Sequence, residues 1–230
     1  MEFTLLGSVA VAAAAFGLVL WLDTRDAPDE RRAAWDRASV AAIAGLFAGR
    51  LAAMIGGGTN PITHPGDILI VRGGVDTGIA ALTSLMVFAW TARTDLWQAA
   101  DALAPAAVAG LGGWHASCLL RGACLGTPSD LPWARALEGS DITRHPVEVY
   151  AALAFLAAAA GLALWKRRRP PAGVVGGAAL AVAGAVRLVT EPLRPGLGSG
   201  PEAWYTAAIV AGLAVVVLRT LAARRTVPGA

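Results

Sequence analysis

The sequence predicts an all-α, polytopic membrane protein with seven transmembrane helices. Of its 230 residues, 56% are hydrophobic and 15% are charged, whereas soluble domains carry about a quarter charged residues. Apolar runs near the length that an α-helix needs to cross hydrocarbon recur along the chain. Most of the 8 tryptophans lie near the ends of these runs, where amphipathic rings favour the membrane–water interface.

Each run is predicted helical because a helix satisfies its own backbone N–H and C=O groups inside hydrocarbon. The third run is short, the second contains Arg50 and the sixth contains Arg187. We read the first run as a retained span, since no basic segment precedes it and its apolar stretch is long for a signal peptide. In order, the runs cover residues 3–22, 39–55, 78–92, 99–120, 147–165, 172–189 and 203–218.

Basic residues in the connections predict that the N-terminus is outside and the C-terminus inside. In that orientation twelve of the 19 Lys and Arg residues lie on the inner side, and six lie on the outer side. The outer six are scattered among Gly, Pro, His and acidic residues, which suggests another role for them. The longest connections are residues 23–38, charged and cytosolic, and the outer loops 56–77 and 121–146. No long linker interrupts the chain, so a single transmembrane domain is expected over residues 1–230.

Composition excludes several other classes of protein. The low charge rules out a disordered chain and argues against a soluble enzyme. The 27 glycines show no triplet period, so a collagen-like chain is excluded. The net charge of +3 and the pI near 9.4 do not indicate a nucleic-acid partner, because the basic residues lie between apolar runs.

A group of charged residues lies in VRLVTEPLRP, residues 186–195. Offsets of four and three place Arg187, Glu191 and Arg194 on one helical face, and Pro192 predicts an irregular last turn. Isolated charge at this depth costs at least a few kcal/mol. A salt-bridged helix end is one interpretation. We favour a guanidinium cluster facing water or a headgroup, since the arginine fork binds phosphate oxygens in pairs.

The segment ITRHPVEVY, residues 142–150, predicts an extended stretch followed by a helix start at Pro146. Arg144 and His145 then lie where the helix dipole and backbone donors favour an anion. Tyr150 follows about one turn later. For His145, a capping or interfacial role and an acid–base role are equally consistent with this motif.

The segment GGWHASCLLRGACLGTPSDLPWA, residues 112–134, contains His115 and Arg121 and ends in a Pro-rich turn. Cys118 and Cys124 are six residues apart and lack the further ligands of a structural zinc site. An oxidising outer face permits a disulfide, which the sequence does not decide. The favoured interpretation is two unreactive, small apolar residues.

The loop THPGDILIVRGGVDTG, residues 63–78, is a weaker candidate. Gly73 and Gly74, which follow Arg72, allow the backbone to approach a ligand closely. An exposed outer loop without a binding role explains the segment equally well. Its other polar members are His64, Asp67 and Asp76.

Taken in order over about residues 38–195, these blocks resemble the prolipoprotein diacylglyceryl transferase family of bacterial membrane enzymes. GACLGTPSDLPWA resembles the family block G-x-x-x-G-[KR]-P-[ST]-D-[LW]-P-W-[AG], and RHPVEVY resembles R-H-P-x-Q-L-Y. Arg187, Glu191 and Arg194 resemble R-x-x-x-E-F-F-R, and ILIVRGGVDTG resembles G-x-x-x-H-G-G-x-x-G. Seven spans with an outside N-terminus also agree with the family.

The resemblance implies transfer of a diacylglyceryl group from phosphatidylglycerol to the lipobox cysteine thiol of a preprolipoprotein, with glycerol phosphate leaving. The site would be a lipid-headgroup site, formed by outer-face loops of the bacterial inner membrane, that needs no metal or cofactor. Its partners would be the two substrates and membrane lipid, with no nucleic acid. The implied catalytic residues are His115, His145, Arg187 and Glu191, and the implied substrate-binding residues are Arg72, Gly73, Gly74, Gly126, Arg144, Tyr150 and Arg194.

Some positions depart from the family motifs. Arg72 stands at the histidine of H-G-G, and His115 and Cys118 stand at the arginine and asparagine of G-R-x-G-N. In R-H-P-x-Q-L-Y-E, Glu148 replaces the glutamine and Ala151 replaces the glutamate. We therefore expect the phosphate-binding half of the site to be kept and the proton-handling half to be rearranged, with His115 and Arg72 exchanging roles.

Two other functions remain as alternatives. A catalytically diverged relative would keep the lipid cavity and act as a lipid-binding or scaffold subunit of a larger membrane assembly. The altered motifs favour that alternative, whereas the complete R-x-x-x-E-x-x-R favours the enzyme. A small transporter ranks last, because no Gly/Pro-broken helices pair up in two corresponding halves.

Overall fold

The computed structural model describes residues 2–69, 74–122, 124–137, 139–195 and 201–225. Helices make up most of these residues, and one short hairpin joins two of the helices. The helices are α1 (Glu2–Asp23), α2 (Pro28–Gly56), α3 (Gly66–Leu69), α4 (Thr77–Thr91), α5 (Leu96–Ala116), α6 (Cys118–Arg121), α7 (Val147–Lys166), α8 (Val174–Thr190) and α9 (Glu202–Arg225), and the strands are β1 (Arg135–Ala136) and β2 (Thr143–Arg144).

The predicted polytopic helical fold is confirmed. Within the described ranges, five helices are long and apolar enough to cross a membrane. Two shorter apolar helices, Gly7–Asp23 and Thr77–Thr91, accompany them. The crossing number of seven and the orientation stay predictions. The five long segments are Pro28–Gly56, Leu96–Leu120, Val147–Lys166, Val174–Leu193 and Glu202–Arg225.

Two connections and one apolar run differ from the sequence prediction. Much of the charged connection 23–38 is helical, because α2 begins at Pro28, whose fixed φ suits a first helical turn. The fourth apolar run is split, since α5 ends at Ala116 and the short α6 follows. The connection 121–146 contains the antiparallel β1–β2 hairpin, so that stretch is not a simple loop.

The chain divides into two compact units. The first unit comprises Met1–Asp26 and Ala100–Ala230, and the second unit comprises Ala27–Ala99. The single domain expected over residues 1–230 stays a prediction. Inside the second unit, α2 packs closely on α4, and a Cβ added at Gly49 would lie 2.7 Å from the Ala80 methyl.

The apolar core of the first unit lies among α5, α7 and α8, around the fully buried Phe155. Small residues bring α8 and α9 together. At Gly212 a Cβ would lie 2.5 Å from the backbone nitrogen of Ala181 and would also collide with the carbonyl of Gly177. Such contacts stabilise helix pairs in a bilayer, where apolar burial alone provides little drive for association.

Polar contacts fix the far end of the first unit, away from the C-terminus of α5. Lys166 donates to the Asp23 carboxylate at 2.5 Å, which ties the end of α7 to the end of α1. The Asp101 carboxylate accepts the N–H groups of Gly173 and Gly176, each at 2.7 Å, at the start of α8. A carboxylate there satisfies donors that a helix N-terminus leaves free.

Candidate functional site

Four helix ends carry the candidate site, and all belong to the first unit. The helix α5 ends at Ala116 and α8 ends at Thr190, whereas α7 begins at Val147 and α9 begins at Glu202. Charged and aromatic side chains from these four ends contact one another. The sequence pattern predicts that side chains at span ends lie close to the membrane surface.

The buried His115 and the partly buried Glu148 form a pair at this end. The Nδ1 atom of His115 lies 2.5 Å from Oε2 of Glu148. The imidazole stacks on the Phe155 ring with 5.3 Å between centroids and 21° between planes. Glu148 lies in the first turn of α7, where the positive helix end favours a carboxylate. Core packing and the helix start therefore hold the pair in one geometry.

A chain of alternating cations and carboxylates continues from Glu148. Its second oxygen, Oε1, accepts from Nη2 of Arg194. Nε of Arg194 lies 3.9 Å from Oε2 of Glu191, and the same oxygen accepts from Nη2 of Arg187 at 3.2 Å. Arg187 and Arg194 thus meet at one carboxylate, and their side chains are 19% and 27% exposed. Neither guanidinium group is directed into bulk solvent.

The end of α8 shows why these residues converge. The α-helix stops at Thr190, and a single 3₁₀ turn, Glu191–Leu193, follows with Pro192 in its first turn. The predicted irregular last turn is therefore confirmed. Arg194 leaves the turn with an extended backbone, at φ −84° and ψ 146°.

Tyr205, near the start of α9, holds the other side of Arg187. Nη2 of Arg187 donates to the tyrosine hydroxyl at 2.7 Å, and the guanidinium carbon lies 5.1 Å from the ring centroid.

Sequence reasoning missed Tyr205 and gave Glu148 no role. A usable signal for Tyr205 was that the chain has only 2 tyrosines, Tyr150 and Tyr205, each near the end of an apolar run.

The loop after α6 is fixed to the start of α7 and the end of α8 around Gly126. Its N–H donates to the carbonyl of His145 at 2.7 Å, and its own carbonyl accepts from Nη1 of Arg144 at 3.1 Å. A Cβ at Gly126 would collide with the Leu193 carbonyl and crowd the Val147 side chain. The close approach explains why glycine is needed there.

His145 and Tyr150 also lie near one another. Their rings meet edge-on with 6.1 Å between centroids, and Nε1 of Trp133 donates to the Tyr150 hydroxyl at 2.6 Å. Within the described part of the chain, Nδ1 of His145, Nε of Arg144 and Nε of Arg194 are buried without a hydrogen-bond partner. Buried polar atoms of this kind commonly contact water or an ion.

Cys118 and Cys124 form a disulfide with 4.9 Å between their Cα atoms. The favoured sequence interpretation, two unpaired apolar cysteines, is therefore wrong. The short helix α6 ends at Gly122 with φ +62°, a left-handed turn that suits glycine. The chain then returns, and the carbonyl of Cys124 accepts the N–H of Glu148 at 3.3 Å.

Three residues predicted to bind substrate belong to the second unit. Arg72 and Gly73 lie outside the described residues, so their roles stay predictions. Gly74 adopts φ +75°, and its carbonyl accepts from Nη1 of Arg50 at 2.9 Å. Arg50 also donates to the Asp67 carbonyl at 2.7 Å. The buried Arg50 therefore links the carbonyls of Asp67 and Gly74 within the second unit.

Comparison with known proteins identifies the family. A family model described as prolipoprotein diacylglyceryl transferase matches residues 4–224. The chain belongs to the prolipoprotein diacylglyceryl transferase family. The resemblance inferred from the ordered motifs is thereby confirmed. Together with its apolar helices, family membership makes this transferase homologue a multi-pass membrane protein.

Three relatives named phosphatidylglycerol–prolipoprotein diacylglyceryl transferase illustrate the similarity. The protein of Pseudoalteromonas translucida is 33% identical over 119 residues, which cover 50% of this chain and 44% of that protein. The protein of Cupriavidus metallidurans is 31% identical over 166 residues, which cover 65% of this chain and 61% of that protein. The protein of Shewanella sp. strain ANA-3 is 28% identical over 194 residues, which cover 78% of this chain and 71% of that protein. The chain thus matches between about half and three quarters of the length of these transferases.

Proposed function

We propose that this family member transfers the diacylglyceryl group of phosphatidylglycerol to the lipobox cysteine thiol of a preprolipoprotein in the bacterial inner membrane. The two substrates are those in the names of its relatives. The observation that carries the proposal is the meeting of Arg187 and Arg194 at Glu191, next to the pair of His115 and Glu148. This arrangement offers cations for an anionic lipid beside a base for a thiol.

The arginines would stabilise the phosphate that leaves. As the bond between the glyceryl carbon and the phosphate oxygen breaks, negative charge builds on glycerol phosphate. Arg187 and Arg194 share the carboxylates of Glu191 and Glu148, and Arg144 lies in the segment just before α7. The Nε atoms of Arg144 and Arg194 have no hydrogen-bond partner among the described residues, so they would be further donors for a phosphate oxygen.

His115 would accept the thiol proton. A thiol attacks well only as thiolate, so a nearby base assists the reaction. The sequence offered His115 or His145 for this role. His115 has a carboxylate on Nδ1, which orients the ring, whereas Nδ1 of His145 has no hydrogen-bond partner among the described residues. We therefore assign proton transfer to His115 and headgroup binding to His145 and Tyr150. The substrate-binding roles of Arg72, Gly73 and Gly74 stay predictions from the sequence.

We further propose that the site faces the outside of the cell, with the N-terminus out and the C-terminus in. The disulfide between Cys118 and Cys124 stands at the site end of the first unit, and disulfides persist in oxidising compartments. The opposite end of the same unit carries the basic runs 166–169 and 219–225, which favour the cytoplasmic side. Seven crossings agree with this orientation.

The proposed reaction can be tested with the full chain in nanodiscs containing phosphatidylglycerol and a lipobox peptide. Mass spectrometry should show a diacylglyceryl thioether on the peptide. His115→Asn keeps a donor for Glu148 but lacks the base, so kcat should fall by about 10²- to 10⁴-fold. His64→Asn, in the exposed loop of the second unit, is the matched control and should retain activity. An unmodified peptide with wild-type protein that binds phosphatidylglycerol would favour the scaffold alternative.

A further inference from the structure

We propose that Glu148 is a positioning residue that fixes the tautomer of His115. It would hold the proton on Nδ1 and leave Nε2 unprotonated, ready to accept the thiol proton. The chemical consequence rests on the proposed function, whereas the tautomer can be measured without turnover. Glu148 stands where the family motif quoted above has glutamine, and His115 stands where it has arginine.

The contact between the two side chains fixes which ring nitrogen donates. An ionised carboxylate only accepts hydrogen bonds, so an imidazole nitrogen 2.5 Å from Oε2 of Glu148 must be the donor. A neutral ring that carries its proton on Nδ1 has its lone pair on Nε2. The stack on Phe155 and the 7% exposure of the His115 side chain keep the ring from turning over.

The two oxygens of the Glu148 carboxylate accept hydrogen bonds from two different donors. Oε1 of Glu148 accepts from Arg194, and Oε2 accepts from His115. Glutamine would offer only one oxygen, and arginine has no acceptor to meet the amide group. In Glu148→Gln the amide oxygen should therefore face Arg194 and the NH₂ group should face Nδ1 of His115. The His115 ring must then accept a hydrogen bond at Nδ1 and carry its proton on Nε2. A protonated Nε2 cannot accept the thiol proton.

The proposed step balances without any further reactant. The thiol proton moves to Nε2 of His115 as sulfur forms a bond to the glyceryl carbon of the lipid. The bond from that carbon to the phosphate oxygen breaks, and its electron pair leaves with glycerol phosphate. The proton on Nε2 then passes to the departing phosphate or to water. Glu148 takes no proton and stabilises the transient imidazolium, the role an aspartate has in serine proteases.

Kinetics of matched variants form the first arm of the test. E148Q should lower kcat by about 10²- to 10⁴-fold, as a carboxylate-to-amide change costs about 10⁴-fold in serine proteases. The KM for phosphatidylglycerol should change little. Glu148→Asp keeps two acceptor oxygens and should be more active than E148Q. In a His115→Asn background E148Q should add no further loss, because the ring that it positions is absent.

Nitrogen-15 NMR of labelled histidine forms the second arm and needs no activity. The chain has 3 histidines, so His64→Asn and His145→Asn variants assign the signals. The wild type should show Nδ1 protonated and Nε2 free at His115, and E148Q should show the reverse. Any of three results would overturn the proposal. These are a neutral wild-type ring with its proton on Nε2, a doubly protonated wild-type ring at the assay pH, and an unchanged tautomer in E148Q.

The two arms separate this inference from the function on which it rests. The predicted tautomers in a protein without transferase activity would support the positioning role and reject the proposed reaction. An active wild type with an equally active E148Q would reject the positioning role and leave the transferase intact.

Discussion

Among single residues, the site shows how ionic groups are paired at the ends of apolar helices. Charge buried alone in a bilayer is costly. Here each carboxylate serves two cationic or imidazole partners: Glu191 contacts Arg187 and Arg194, and Glu148 contacts Arg194 and His115. Removing one member would leave the opposite charge without compensation, so the group is expected to act as a unit.

Arg187→Lys tests whether the arginine fork matters. Lysine keeps the charge but cannot bind Glu191 and Tyr205 in the same plane. We expect kcat/KM for phosphatidylglycerol to fall by about 100-fold, the usual cost of losing a donor that stabilises a transition state. Arg219→Lys is the matched control, because Arg219 donates to the Ala172 carbonyl at the far end of the first unit. Equal activity of the two variants would contradict the assigned role of Arg187.

Part of this residue network could be read from the sequence. The offsets between Arg187, Glu191 and Arg194 are local, so helical periodicity was enough to group them. His115 and Glu148 are separated by 33 residues, and their contact depends on how α5 packs on α7. No local pattern encodes such a pair, so the sequence supplied a candidate histidine without its carboxylate.

Among the helices and strands, Pro146 and Pro192 mark helix ends, whereas Pro105 lies inside α5, and the short strands were not predicted. Pro146 and Pro192 lie at the start of α7 and the end of α8, as their restricted backbone predicts. The strands β1 and β2 have two residues each, which is too short for a periodic signal. The pairing of Cys118 with Cys124 required the left-handed turn at Gly122, which two cysteines alone do not indicate.

The disulfide should stabilise the loop that supports Glu148. Replacing Cys118 and Cys124 together with Ala should lower the free energy of unfolding by about 2 kcal/mol, the chain-entropy estimate for so short a loop. Thermal unfolding measures this, and a reductant should lower the Tm of the wild type only. The double variant, which cannot respond to reductant, is the control. Two free thiols in denatured, unreduced wild type would contradict the pairing.

At the scale of the whole molecule, the first unit separates its chemistry by end. One end carries His115, Glu148 and the arginines, and the other carries Lys166 with the basic segments at the ends of α7 and α9. Antiparallel helices impose this separation, because α5 and α8 end where α7 and α9 begin. The charge asymmetry of the sequence predicts the orientation from the same residues.

Reporter fusions test the orientation. Green fluorescent protein fused after Arg225 should fluoresce, because that end of α9 is proposed to be cytoplasmic. Alkaline phosphatase inserted between β1 and β2, beside the site, should be active because that loop is proposed to face outside. The controls exchange the two reporters: alkaline phosphatase after Arg225 should be inactive, and green fluorescent protein between β1 and β2 should not fluoresce. Phosphatase activity at the C-terminus with none in the hairpin would contradict the orientation.

The stoichiometry of products from phosphatidylglycerol and a lipobox peptide tests the proposed transfer reaction directly. The wild-type chain should release one glycerol phosphate for each diacylglyceryl thioether formed on the peptide, and H115N should form both far more slowly. Release of glycerol phosphate without a thioether, or no product from protein that binds the lipid, would contradict the account.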